Sequence, residues 1–314
     1  MAAAVPGGTS MSTAQRQALA AMLRGSAQPD GPQTIEQQRS GFAALMAKFA
    51  VPDGVRQTST ELAGVPAVLV EPEGGTSPDG PTILYFHGGS FVVGSPQTAM
   101  ALTAQLVLRT GFRAISLDYR LAPEHPFPAA IEDCLAAYRS LLDGGTPPGS
   151  IAFAGDSAGG GLTVTTSLAA RDAGLPMPAA IVAFSPGVDH TRSGASMTTK
   201  NGLDPYFTPE SFQQTGALYL AGADPAQPLL APAVHADLTG LPPMLLQVGT
   251  DELLLDDSVR LARRAVEAEV DVVLDVTAGV PHVFPAFVGT LDEADQAFDR
   301  AALFLRQHLG AAVS

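Results

Sequence analysis

From Val55 onward, short apolar runs rich in β-branched residues alternate with stretches of helical periodicity. Candidate strands are Val55–Leu62, Ala67–Glu71, Thr82–His87, Arg113–Tyr119, Ser150–Gly155, Ala180–Ser185, Met244–Gly249 and Val270–Val276. Several are apolar throughout, such as Ile83-Leu84-Tyr85-Phe86 and Ile181-Val182-Ala183-Phe184, which suits strands buried on both faces of a parallel sheet. Between them the spacing predicts helices over Thr98–Thr110, Pro128–Leu142, Ala158–Ala173, Asp257–Ala268 and Asp292–Leu309. Strand alternating with helix argues for an α/β fold, with a mostly parallel eight-stranded sheet and helices on both faces. The first two strands are joined by a short turn at Ala63-Gly64, so that edge reads as an antiparallel hairpin.

Two stretches break this rhythm. Before residue 50 the chain is polar and Ala-rich, with helical periodicity over Thr13–Arg24 and Ile35–Phe49 and a loop at Gln28–Pro32 between them. Later, Gly187–Ala233 is far longer than an ordinary connection and has helical texture around Glu210–Leu220. Insertions of that length are usually lids or binding elements.

Composition narrows the classes of function. The chain has 314 residues, 46% of them hydrophobic, enough to bury a large core and to exclude general disorder. With 31 acidic and 17 basic residues the formal charge is −14, which argues against nucleic acid and anionic membranes as partners. Cys134 is the single cysteine, so no intrachain disulfide can form and nothing demands an oxidising compartment. The first ten residues have neither a basic n-region nor an apolar h-region. No uninterrupted apolar run is long enough to span a bilayer, and the expected location is cytoplasmic. The six histidines are scattered without a His/Cys cluster at ligand spacing, so neither a metal nor another cofactor is expected.

The sharpest motif is Gly155-Asp156-Ser157-Ala158-Gly159. It follows the apolar run Ile151–Ala154 and opens a predicted helix, the strand–turn–helix setting of a nucleophile elbow. Small residues at Gly155 and Gly159 would leave room for a tight turn that pushes Ser157 outward. A second motif, His87-Gly88-Gly89-Ser90-Phe91, ends another strand. Its exposed N–H groups, with that of Ala158, could hold the negative oxygen of a tetrahedral intermediate. His87 reads as a brace for this loop.

A nucleophilic serine needs a base, and the base needs an orienting carboxylate, in the chain order Ser, Asp or Glu, His. His282, in the loop Gly279–Phe284, is the best-placed base. His308 lies in the last helix, and His190 and His235 precede the strand that could carry an acid. After the strand Met244–Val248, Asp251 lies nearest the strand end and is preferred as the acid. Glu252 is its main competitor, and Asp256 and Asp257 read as helix-cap charges.

With these motifs in this order, residues 50–310 resemble the hormone-sensitive-lipase-like branch of bacterial esterases in the α/β-hydrolase fold, the subgroup whose elbow reads Gly-Asp-Ser-Ala-Gly-Gly. The segment Asp118–Glu124, the Asp-x-Leu at Asp251–Leu253 and the His-x-Phe at His282–Phe284 add to the likeness. The resemblance implies Ser157, Asp251 and His282 as triad and Gly88, Gly89 and Ala158 as oxyanion donors. It also implies a catalytic body of 51–187 and 226–314 under a discontinuous helical cap of 1–50 and 188–225. Ser90 departs from the third glycine common in the family's oxyanion loop. The expected reaction is hydrolysis of short-chain acyl esters of small molecules. Lactonase and N-acetyl amide deacetylase activity are the alternatives, and a non-catalytic receptor on the same fold is a remote one. Ser90, Phe91, Asp156, Tyr206, Phe207 and Phe284 are candidate pocket walls, and the four aromatics among them are equally compatible with ordinary core. Relatives often form homodimers through an exposed edge strand, here Val270–Val276, and open edges invite such pairing.

Overall fold

The strands are β1 (Val55–Leu62), β2 (Val65–Pro72), β3 (Thr82–Phe86), β4 (Arg113–Leu117), β5 (Ile151–Asp156), β6 (Ala180–Phe184), β7 (Met244–Asp251) and β8 (Val272–Pro281). They form one sheet in the order β1-β2-β4-β3-β5-β6-β7-β8. β1 and β2 pair antiparallel, as do β2 and β4, and every other pairing is parallel. The structure is a computed structural model and describes residues 8–24, 33–77 and 80–309. The predicted loop at Gln28–Pro32 and the first seven residues lie outside the described residues.

The helices are α1 (Gly8–Arg24), α2 (Ile35–Met46), α3 (Met100–Thr110), α4 (Ala129–Asp143), α5 (Ala158–Asp172), α6 (Ser196–Thr199), α7 (Pro209–Leu220), α8 (Pro232–His235), α9 (Leu255–Glu267) and α10 (Asp292–Leu309). Side chains alternate across a strand, and that alternation divides the core in two. Leu84, Phe86 and Phe153 point to the layer of α4, α5 and α9, where they meet Tyr138, Leu162 and Leu261. Ile83, Tyr85 and Val182 point to the opposite layer and meet Leu106 of α3 and Phe298 of α10. Strands β3, β5 and β6 are buried along their whole length, which explains their unbroken apolar sequence. The edge strand β1 is polar and exposed over most of its length.

The helical segment before β1 is anchored at two places. Arg16 of α1 donates to the Ala278 carbonyl of β8 at 2.7 Å and pairs with Glu293 of α10. Arg39 of α2 donates to the carbonyls of Val92 and Ala122 at 2.9 and 3.0 Å and pairs with Glu124 at 2.6 Å. Within the long insertion, α7 starts with a capping box between Thr208 and Ser211, with Pro209 at its first turn.

β8 runs further than its apolar pattern predicts. Its ladder with β7 continues through an irregular register between Gly249 and Asp251, so that Asp251 pairs with Pro281. His282 is therefore the first residue beyond a strand, and Glu252 is its counterpart beyond β7. The sheet delivers both to the same end, beside the carboxyl end of β5.

Candidate active site

Ser157 lies between β5 and α5 with φ 53° and ψ −117°. A left-handed backbone at a non-glycine residue is costly, on the order of 1–3 kcal/mol, and persists where its surroundings enforce it. Here they do. A Cβ on Gly159 would lie 1.9 Å from the Phe86 carbonyl, and one on Gly155 would lie 2.5 Å from the Gly159 carbonyl. The Ser157 N–H is held by the Phe184 carbonyl at 2.8 Å. Its hydroxyl makes no capping bond to α5. It faces His282 instead, with Nε2 2.9 Å from Oγ, and both residues are buried.

The carboxylate behind the imidazole belongs to Glu252. Its Oε2 lies 3.7 Å from His282 Nδ1 and accepts the Ser185 hydroxyl at 2.8 Å. The same Ser185 oxygen accepts the Val283 N–H at 3.0 Å, which ties Glu252 to the histidine loop. Asp251, preferred on sequence grounds, is not in that place. It still belongs to β7, pairs with Pro281 and receives the Thr250 hydroxyl at 3.2 Å. The continued ladder holds Asp251 within the strand, and the first residue released to turn under the imidazole is Glu252, fully buried. Burial alone would depress the His282 pKa, but Glu252, with Asp204 and Asp156 farther off, outweighs it and raises the pKa above 6.5.

The loop after β3 is braced from three sides. Gly89 has φ +125°, and a Cβ there would strike the Val93 carbonyl at 2.0 Å. The Tyr119 hydroxyl donates to the His87 carbonyl at 2.7 Å, and the two rings stack at 4.2 Å. His87 Nδ1 lies 2.8 Å from the Gly88 carbonyl, and burial lowers its pKa to about 4, so the ring is a neutral brace. Neither the Gly89 nor the Ala158 N–H donates to a backbone carbonyl outside regular helix and strand pairing among the described residues. Asp156 points away from the pocket. Its Oδ1 accepts the Tyr85 hydroxyl at 2.8 Å, and burial raises its pKa to about 6 against the lowering pull of Tyr85 and the Gly88 N–H.

Ser157 opens on a pocket whose cavity, mouth included, is about 320 Å³. Of the residues expected as walls, Ser90 and Phe91 line it. Phe207 sits edge-on to His282 at 5.1 Å. Tyr206 and Phe284 do not reach the pocket. Phe284 is fully buried in a cluster with Leu19 and Phe287, against which Tyr206 packs, because the turn after His282 folds towards α10. The walls that periodicity missed come mainly from the insertion: His190, Arg192, Phe212 and Thr215, with Leu254 from the body. Phe91 stacks on Tyr219 of α7 at 3.8 Å, which docks the insertion onto the loop after β3. Arg120 pairs with Asp133 and Glu132 of α4, and Glu124 with Arg39.

Residues 83–286 match the family described as alpha/beta hydrolase fold. An acetyl-hydrolase of Streptomyces hygroscopicus is 45% identical over 232 residues, 74% of this chain and 77% of its own. The chain belongs to the α/β-hydrolase family. An esterase of Acinetobacter venetianus is 37% identical over 71% of this chain and 73% of its own. Among solved structures, the esterase EstE5 soaked with p-nitrophenyl butyrate superposes with a TM-score of 0.89 at 39% identity, covering 97% of this chain and all of that one. An esterase of the bacterial hormone-sensitive lipase family gives 0.89 at 40% identity over 99% and 100%. This hydrolase is thus an esterase of the hormone-sensitive-lipase branch. No helix among its described residues is long and apolar enough to cross a membrane.

Proposed function

We propose that the protein hydrolyses short-chain esters of small molecules through Ser157, His282 and Glu252. The observation that carries this reading is the 2.9 Å contact of His282 Nε2 with Ser157 Oγ at an elbow that leaves the hydroxyl free of any capping role. Ser157 attacks the ester carbonyl as His282 takes its proton, and Glu252 stabilises the imidazolium. The oxyanion falls to the N–H groups of Gly89 and Ala158, with that of Gly88, shared with Asp156, beside them. His282 then protonates the leaving alcohol, and water cleaves the acyl-enzyme by the reverse route. The small pocket favours short acyl groups, and the acetyl-hydrolase relative favours acetyl among them.

The proposal extends to the surroundings of the site. Residues 1–50 and 188–225 act as a cap over the catalytic body, a reading supported for the second stretch by the pocket walls that it supplies. The edge strand β8, with Val273 and Val276 exposed, is the surface for a homodimer. A cytoplasmic setting suits the lone buried thiol of Cys134.

The test is turnover of p-nitrophenyl acetate, butyrate and decanoate by the wild type and by Ser157→Ala, with an N-acetyl amide and a lactone in parallel. Turnover greatest on the short esters and abolished in Ser157→Ala is expected. Wild-type turnover in Ser157→Ala, or a maximum on the decanoate, overturns the reading.

A further inference from the structure

The pocket that holds Ser157 also holds a cation without a full partner. Arg192 lines it, and Nη1 of its guanidinium is buried with no hydrogen-bond acceptor. Its nearest carboxylate is Asp257, at 3.9 Å, beyond hydrogen-bond distance. Asp257 is itself engaged: Oδ2 accepts the N–H groups of Val188 and Asp189 at 2.8 and 3.0 Å, and burial raises its pKa to about 7. The other nearby carboxylate, Asp189, is neutralised by Arg260 at 2.9 Å. His190 adds no charge, since burial and the neighbouring Arg192 lower its pKa to about 3.

Arg192 is held in position, not left to find one. It sits in a turn that Asp189 organises by accepting the N–H groups of Thr191 and Ser193 at 2.9 and 3.1 Å. Its own φ is 52°, a left-handed strain that surroundings must enforce. Its guanidinium lies over the Phe212 ring at 4.4 Å, Phe212 stacks on Phe207 at 4.6 Å, and Phe207 meets His282 edge-on. Burial disfavours the charged guanidinium, which is nevertheless retained because arginine does not deprotonate in proteins. A guanidinium whose Nη1 is buried, on a side chain only 22% exposed, is costly unless an anion completes it.

We infer that Arg192 receives a carboxylate on the substrate, so that the preferred esters are those of small molecules that also bear a carboxylate. This rests on the reading of Ser157 as nucleophile in the same pocket. A planar guanidinium suits a carboxylate through paired N–H donors. The net charge of −14 does not forbid such a substrate, because salt screens charges beyond about 8 Å at physiological ionic strength while a buried contact is screened far less.

The experiment compares matched esters. Mono-p-nitrophenyl succinate carries the carboxylate on the acyl side and p-nitrophenyl butyrate is its neutral counterpart. For the alcohol side, 4-acetoxybenzoate is compared with its methyl ester at the acetoxy bond. In the wild type, kcat/KM for the anionic member of one pair is expected to exceed that of its neutral counterpart by about tenfold or more, the scale of one charge-assisted hydrogen bond. The pair that shows it identifies the side. Arg192→Met should collapse that ratio and Arg192→Lys should restore part of it, whereas a purely structural arginine would lower both members alike. Because either variant can misfold, inhibition of the wild type is measured as well, with succinate expected to compete far better than succinamide. Turnover of neutral esters with no anionic preference in either pair, or equal inhibition by the two compounds, overturns the inference and leaves the esterase reading intact. Failure of every ester would strike the esterase reading itself.

Discussion

Replacing Glu252 by Gln removes one charge and changes little else, since the amide oxygen can still accept the Ser185 hydroxyl. The loss can be scaled from the structure. At the 3.7 Å separation of Glu252 Oε2 from His282 Nδ1, and an effective dielectric of about 20, an ion pair is worth about 4 kcal/mol. The imidazolium forms only as the serine is deprotonated, so this interaction belongs to the transition state. At about 1.4 kcal/mol per decade, its removal costs about three decades of kcat/KM. The assay is p-nitrophenyl acetate hydrolysis across pH, with thermal melts to show that the variant is folded. The pH profile carries a second signature. Catalysis needs the neutral imidazole, so the rate falls as pH drops through the His282 pKa. Glu252 helps hold that pKa above 6.5. Glu252→Gln must therefore move the acid limb to lower pH, while Asp251→Asn leaves both limb and rate near wild type. A collapse in Asp251→Asn with a nearly unaffected Glu252→Gln would refute the reasoning.

The remaining predictions concern the elbow and the buried carboxylate beside it. In Gly159→Ala the new Cβ would lie 1.9 Å from the Phe86 carbonyl, and denaturant melts should show a loss of about 3 kcal/mol or more; a change near zero would contradict the close approach. For Asp156, the folded pKa of about 6 exceeds the ordinary 3.8, so its stabilising contribution is fully present below 3.8 and gone above about 6. Stability of the wild type relative to Asp156→Asn should therefore fall by on the order of 3 kcal/mol as pH rises through that window, and parallel stability curves would count against it.

Much of the fold is legible in the sequence because its signals are local. Unbroken apolar runs mark β3, β5 and β6, and Ala63-Gly64 marks the antiparallel hairpin of β1 and β2. The periodicity of Asp292–Leu309 coincides with α10. Ser157 and His282 are legible for the same reason: a turn too tight for side chains announces the first, and position after the last strand announces the second. Which carboxylate lies beside the imidazole is not, because the choice between Asp251 and Glu252 depends on where β7 stops pairing, and its partner β8 runs five residues past its apolar pattern, to Pro281. Phe284 shows a second limit. Its place beside His282 in sequence suggests a pocket wall, yet the 3-10 turn Phe284–Phe287 carries it into the core. Arg192 shows a third, since nothing in the insertion's composition says that Asp189 folds a turn around it.

The central claim, that Ser157 is the nucleophile, is tested most directly by covalent labelling. Diethyl p-nitrophenyl phosphate is added to the wild type while p-nitrophenolate release, residual turnover and the peptide mass map are followed together. The account predicts one phosphoryl group per chain, carried on the peptide that contains Ser157, with turnover lost in proportion to labelling. Full inactivation with the label on another residue, or turnover that survives complete labelling of Ser157, would contradict it.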